Sequence, residues 1–173
     1  MKLVVGLGNP GGQYAKTYHN IGYITIDRLV KSLGGEFNKT KCKSEICKIG
    51  DVVFAKPITF MNLSGDAVAE LKKYFHVPLE NILIIYDDID LNKGCFRYRE
   101  NGSAGTHNGM RDIVKKVGET KRIRIGIGKP EKKDLADYVL SNIDMMSREQ
   151  IDEAISLAIE KIKEFIFDSN EEI

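Results

Sequence analysis

KLVVGLGNPGG, residues 2–12, is a short apolar run that ends in glycines. Leu3 to Leu7 reads as a buried strand. Gly6, Gly8 and Gly11 then meet the spacing of a dinucleotide-binding loop. That reading needs a helix opening at the third glycine and a second parallel strand ending in an acid about 20 residues on. Pro10 stiffens the loop instead, and Gly11-Gly12 delay any helix. Asp27 stands at the right distance but falls inside a helical pattern over residues 21–33. A hairpin signal, Gly50-Asp51 between residues 44–49 and 52–56, lies where the second parallel strand belongs. The expectation is therefore a tight glycine loop leaving a strand. Asn9 then sits at the strand's C-terminal end, where open α/β sheets place their ligands.

Outward from this stretch the pattern alternates. In residues 21–33, Ile26, Leu29, Val30 and Leu33 share a helical face, and Gly34-Gly35 ends it. Residues 64–75 form a second helix with Val68, Leu71 and Phe75 inward, Ser64 as its N-cap and Pro78 beyond its end. Ile82 to Tyr86 is a continuous apolar strand of the kind found inside a sheet, and residues 96–99 form another. A flexible NGSAGTHNG loop leads into a helix over 108–117. Ile123, Ile125 and Ile127 alternate with Arg122, Arg124 and Gly126, which predicts a half-buried strand. A short helix covers 135–140. A capping box, Ser147 with Gln150, opens the last helix, which runs to Phe167 on a stripe of Ile151, Ile155, Ala158, Ile162 and Phe165. Helices alternating with strands, interrupted by one hairpin, predict an α/β fold with a mixed sheet. Residues 169–173 read as a disordered end.

The chain has 173 residues, 42% hydrophobic and 29% charged, the balance of one globular domain. No apolar run approaches the ~18–20 residues of a membrane helix. The first apolar run is broken by Gly6 and Gly8, so it does not read as a signal peptide. Cys42, Cys47 and Cys95 are odd in number and lack CxxC spacing, which argues against a disulfide scaffold or thiolate zinc site and fits a cytoplasmic protein. The net charge of +1 hides an asymmetry: residues 93–133 carry +8 and residues 134–173 carry −8. The basic block is where a polyanion would dock, or the acidic helix simply neutralises its neighbour.

Histidine and asparagine recur in loops. His19-Asn20 and His107-Asn108 are pairs, while His76 ends a helix as a solvated cap. His19 lies just before a helix, where a neutral imidazole is favoured. Asn62 sits in FMNLSG at the entry to the second helix. Asp87, Asp88 and Asp90 follow the apolar strand and could hold Mg²⁺. Alternatively one carboxylate orients an imidazole, which needs no metal and leaves the other ring nitrogen to take a proton from water. GxSxG and HExxH are both absent from the sequence.

Taken together, VGLGNPG (5–11), Tyr14 with His19-Asn20, TFMNLSG (59–65), YDDIDL (86–91), GTHNGMRDI (105–113) and RIRIGIGKP (122–130) run through nearly the whole chain in order. In these segments the sequence closely resembles the bacterial-type peptidyl-tRNA hydrolases. The resemblance implies a single globular α/β domain, residues 1–173, with a twisted mixed sheet surrounded by helices. It implies hydrolysis of the ester between a peptide and the 3′-terminal ribose of peptidyl-tRNA, recycling tRNA released prematurely from ribosomes. His19 matches the catalytic histidine and Asp87 its paired aspartate. Asn9, Asn62 and Asn108 match substrate-positioning asparagines, with His107 beside them. Tyr14, Phe60 and Met61 match residues lining the cleft. Arg99, Arg111, Arg124 and Lys133 are the basic positions expected at the tRNA, Arg99 standing where the family commonly has lysine. The expected partner is the acceptor stem and 3′ end of peptidyl-tRNA. No metal, cofactor or membrane is implied, and a cytoplasmic monomer is expected.

The resemblance agrees with the chemistry of the residues. A peptide ester is a good electrophile, so one activated water suffices, and a positioned general base contributes about 10²–10⁴-fold. Neutral asparagine amides can bind peptide backbone of any sequence. The loop before His107 is less glycine-rich than the family commonly shows, and the C-terminus is shorter. Two other classes compete: a catalytically silent RNA-binding relative, against which intact His19 and Asp87 argue, and a hydrolase of other esters, against which the basic block argues.

Overall fold

In the computed structural model, which describes residues 1–167, seven strands form one mixed sheet. The expected disordered end, residues 169–173, lies outside the described residues. The strands are β1 (Lys2–Gly6), β2 (Lys39–Lys41), β3 (Ser44–Ile49), β4 (Val52–Pro57), β5 (Ile82–Asp88), β6 (Phe96–Arg99) and β7 (Lys121–Gly126). Their order is β2-β3-β4-β1-β5-β7-β6. Strands β4, β1, β5 and β7 run parallel to one another, and the antiparallel pairs lie at the two edges. The helices are α1 (Ile21–Ser32), α2 (Ser64–Tyr74), α3 (Asn108–Lys116), α4 (Leu135–Val139) and α5 (Met145–Phe167). A mixed α/β sheet with a hairpin after the first helix is what the sequence predicts. The short edge strand β2, Lys-Thr-Lys and wholly exposed, carries no apolar signal that would announce it.

The sheet is buried on both faces by alternate side chains. Val4, Phe54, Leu83 and Ile123 pack with Leu29 of α1 and Ile155 of α5. Leu3, Val5, Val53 and Ile84 point the other way and pack with Leu71 of α2 and Ile113 of α3. All seven residues of β5 are buried, the environment that favours a continuous apolar run. β7 is more buried than its alternation predicts. Arg122 is only 1% exposed, with its guanidinium bonded to the Thr120 carbonyl and to the Ser103 carbonyl in the loop before α3.

Two helix starts differ from the sequence reading. Ser64 is the first residue of α2, not its cap; its hydroxyl donates to the Met61 carbonyl at 2.7 Å, closing a short 3-10 turn over Met61–Leu63. α5 opens at Met145, and Asp144 takes the capping role expected of Ser147: its Oδ1 accepts from the Ser147 N–H at 2.8 Å. With the helix opening three residues earlier, Ser147 lies inside the first turn, where its own N–H is one of the orphan donors that Asp144 satisfies. His76 is exposed in a left-handed conformation after α2, as its capping position predicts.

The glycine loop after β1 leads only into short 3-10 turns, Gly12–Tyr14 and Tyr18–Asn20, and no α-helix opens before Ile21. Close approach to α1 explains Gly6 and Gly8 instead, and Gly22 faces them from the helix side. A Cβ on Gly22 would lie 2.4 Å from both the Ile85 carbonyl oxygen and the Leu7 nitrogen. Without that side chain, α1 abuts the end of β1 and the middle of β5, and the Tyr23 N–H reaches the Leu7 carbonyl at 3.1 Å. Gly22→Ala should therefore destabilise the fold by about 1–3 kcal/mol through overpacking, read as a lowered urea midpoint. An unchanged midpoint would show that α1 is free to move away from the sheet.

Candidate active site

The parallel strands all end on the same side of the sheet, and the loops that leave them form a cleft of about 350 Å³. At its floor, β5 delivers Asp87, whose side chain is 2% exposed. A buried carboxylate needs partners, and two imidazoles supply them. His19, in the 3-10 turn Tyr18–Asn20, places Nδ1 at 3.1 and 2.9 Å from the two Asp87 oxygens. His107 places Nε2 at 2.9 Å from Asp87 Oδ1. The two rings lie 4.9 Å apart, centroid to centroid.

The two histidines are held in opposite tautomers. His107 is the N-cap of α3, and its Nδ1 accepts the Met110 N–H at 3.1 Å. Nδ1 is thus unprotonated, and the proton on Nε2 is donated to Asp87. His19 uses Nδ1 for Asp87, while its Nε2 bonds no described residue and faces the cleft. That nitrogen is free to accept a proton. Burial pushes the His19 pKa down, but the adjacent Asp87 charge and hydrogen bond outweigh it, and the net shift is upward from 6.5. The neutral form expected from the helix start alone is overridden by the carboxylate. For Asp87, burial raises the pKa, yet both imidazoles hold it well below the usual carboxylate range.

His19, Asp87 and His107 are also the group in the described residues that could hold a metal, with ligand atoms within 4.8 Å of one another. A metal on His107 Nε2 would move its proton to Nδ1, against the Met110 N–H that Nδ1 now accepts. This donor set therefore fits an imidazole–carboxylate pair better than a metal. The Asp87, Asp88, Asp90 reading fares no better. Asp88 Oδ2 pairs with Arg124 Nη1 at 3.1 Å and Oδ1 accepts the Asp90 N–H, while Asp90 pairs with Lys129.

The asparagines divide. Asn108 lines the cleft and Asn62 is exposed on the turn before α2; neither side chain bonds a described residue. Asn9 is 8% exposed and acts as a clasp. Its Oδ1 accepts the Met61 N–H at 3.0 Å, and its own backbone exchanges two bonds with the Asn20 amide at 2.8 and 2.9 Å. Asn20 thereby ties the His19 turn to the glycine loop, a role the sequence signals only by its place beside His19. Phe60 is 65% exposed and Met61 is buried; they and the half-buried Tyr14 lie outside the lining of this cleft. Leu135, Ala136 and Val139 of α4 form its other wall.

The basic block is sorted by the register of β6 and β7. Arg97 pairs with Arg124 and Arg99 with Arg122, so four arginines share one sheet face. Like charges so placed repel. Arg124 is compensated by Asp88, and buried Arg122 donates to the carbonyls of Thr120 and Ser103, out of reach of any polyanion. Arg97, Arg99 and Lys133 are exposed, and none of them bonds a carboxylate of the described residues. Arg97 is absent from the sequence expectations; the F-R-Y-R alternation is its signal. Arg111 is exposed but holds the Gly105 carbonyl at 2.8 Å, and Lys116 is engaged by Asp66 and Asp112.

A sequence model described as peptidyl-tRNA hydrolase matches residues 3–173. The peptidyl-tRNA hydrolase of Elusimicrobium minutum is 44% identical over 99% of this chain and 95% of its own length. That of Chloroflexus aggregans is 50% identical over 82% and 79%. The crystal structure of the Acinetobacter baumannii peptidyl-tRNA hydrolase superposes with a TM-score of 0.89 at 36% identity, covering 96% of this chain and 88% of that one.

The raised His19 pKa depends on Asp87. An NMR titration should show His19 deprotonating above pH 6.5 in the unaltered protein. Asp87→Asn removes the charge and leaves the burial, so the midpoint should fall below 6.5. A midpoint that Asp87→Asn leaves in place would contradict the pairing.

Proposed function

The chain belongs to the peptidyl-tRNA hydrolase family, and on that premise we propose a reaction in which His19 activates water without a metal. The observation that carries this reading is the free Nε2 of His19, backed on its Nδ1 side by buried Asp87. Nε2 takes a proton from a water in the cleft as that water's oxygen adds to the ester carbonyl. Asp87 holds the tautomer and stabilises the imidazolium that forms. When the tetrahedral intermediate collapses, the ester C–O bond breaks and the imidazolium returns the proton to the departing ribose oxygen. The products are tRNA and the peptide's carboxylic acid, which gives up the second proton of the water to solvent as it ionises.

The unpartnered amides of Asn62 and Asn108 hydrogen-bond the peptide link next to the ester. A blocked amine offers them an amide; the free ammonium of aminoacyl-tRNA does not accept hydrogen bonds and leaves a donor unpaired. One such unpaired donor costs about 1–3 kcal/mol, enough for roughly ten- to hundredfold selectivity. The acceptor stem lies across Arg97, Arg99, Arg124 and Lys133, read by shape and phosphate rather than base. Arg124, at the cleft lining, marks where RNA passes into the site. The protein works as a cytoplasmic monomer.

His19→Ala should lose about 10²–10⁴-fold in turnover of N-acetyl-aminoacyl-tRNA while still binding tRNA. Near-normal hydrolysis would end the general-base assignment, and a rate abolished by EDTA and restored by a divalent cation would replace it with a metal. Because protonated His19 accepts no proton, kcat/KM should fall as pH drops through the raised His19 pKa.

Removing Arg99, Arg124 and Lys133 together should weaken tRNA substrates and spare a free N-acetyl amino ester. The slope of log affinity against log salt should become shallower by about one unit for each phosphate that is no longer neutralised. Equal effects on both substrates would mean these residues only support the cleft.

A further inference from the structure

Two sequence motifs contain residues that the proposed chemistry does not use: Gly65 in TFMNLSG and Asp112 in GTHNGMRDI. The structure brings them together. Asp112 Oδ2 accepts the Gly65 N–H at the start of α2, at 2.7 Å. Its Oδ1 pairs with Lys116 at 3.0 Å, and Lys116 reaches Asp66 at 2.7 Å. The Asp112 side chain is 12% exposed, unlike the ends of a solvated i,i+4 pair. An anion against a helix N-terminus is well placed electrostatically.

The backbones are locked as closely as the carboxylate. A Cβ on Gly65 would stand 2.4 Å from the Asp112 carbonyl oxygen, and a Cβ on Gly109 would stand 2.5 Å from Met61 Sδ. Each glycine admits the other element: α3 against the start of α2, and the turn over Met61–Leu63 against the first turn of α3. That arrangement has a chemical consequence. Asn62 lies in the turn just before α2, three residues ahead of Gly65. Asn108 lies one helical turn ahead of Asp112, on the same face of α3. The one carboxylate therefore sits between the two backbones that carry the two unpartnered amides.

We propose that Asp112 is a positioning residue that fixes Asn62 and Asn108 relative to each other, and so sets the enzyme's preference for N-blocked substrates. The proposal rests on the amide reading of the preceding subsection. Asp112 touches no substrate. It acts through the Gly65 N–H, which holds α2 and its leading turn against α3. An asparagine at 112 would still accept from Gly65, whereas an alanine would leave that donor unpaired.

The test compares Asp112→Ala, Asp112→Asn, Asn108→Ala and the double Asp112→Ala/Asn108→Ala in the full chain. Substrates are N-acetyl-aminoacyl-tRNA and aminoacyl-tRNA, with melting temperature recorded for each variant. Misplacement of a substrate-holding group should cost Asp112→Ala roughly tenfold in kcat on the blocked substrate. It should also narrow the preference over aminoacyl-tRNA. Asp112→Asn should recover most of both, and the double variant should be no worse than Asn108→Ala alone. Equal loss on both substrates, a lowered melting temperature with the preference intact, or losses that multiply in the double variant would each overturn the proposal. Should Asn108→Ala itself keep the full preference, the amide reading fails. Asp112 is then judged by turnover alone: a loss recovered by Asp112→Asn upholds positioning, and no loss ends it.

Discussion

One buried carboxylate organises the molecule's functional end. Asp87, next to last in the most enclosed strand of the sheet, is 3% exposed, so its charge is tolerable only with close, hydrogen-bonded partners. Those partners come from elements far apart in the chain: the turn before α1 and the cap of α3. Removing one member of such a buried set costs about 3–5 kcal/mol. The same bonds that make the Asp87 charge tolerable in the interior fix both imidazole rings, and of the four ring nitrogens they leave only His19 Nε2 without a partner among the described residues.

The close approach of helices to the sheet serves that arrangement. Gly22 lets α1 meet the end of β1 and the middle of β5, which carries His19 to Asp87. Gly65 and Gly109 let α2 and α3 interlock, which sets the start of α3, and with it His107, beside the same carboxylate. Asn9 and Asn20 clasp the glycine loop to the His19 turn and to Met61. The glycine loop is thus a packing and anchoring device, which is why its resemblance to a dinucleotide-binding loop is superficial.

The fold is largely legible in the sequence because its signals are local: apolar runs for β1 and β5, a Gly-Asp turn for the β3–β4 hairpin, and helical spacing for α1 and α5. β2 is not, since three exposed polar residues carry no burial pattern. The starts of α2 and α5 differ from expectation because each helix begins before the residue its serine would have capped: Ser64 closes a preceding 3-10 turn, and Asp144 caps α5 ahead of Ser147. His19, Asp87 and Asn108 meet in the cleft as their motifs suggest. The motifs place His107 among the substrate contacts. Its second bond, to Asp87, is invisible in sequence because it depends on α3 packing against β5. Arg122 counts toward a basic surface in the sequence yet is buried against the Thr120 and Ser103 carbonyls; charge composition reports sign, not depth.

One carboxylate that holds two histidines in opposite tautomers leaves His19 Nε2 as the free base. ¹⁵N NMR of the imidazole nitrogens, recorded at a pH above the His19 titration, tests this directly. The expected result is His19 protonated on Nδ1 with Nε2 bare, and His107 protonated on Nε2 with Nδ1 bare. A proton on His19 Nε2, or on His107 Nδ1, would contradict it.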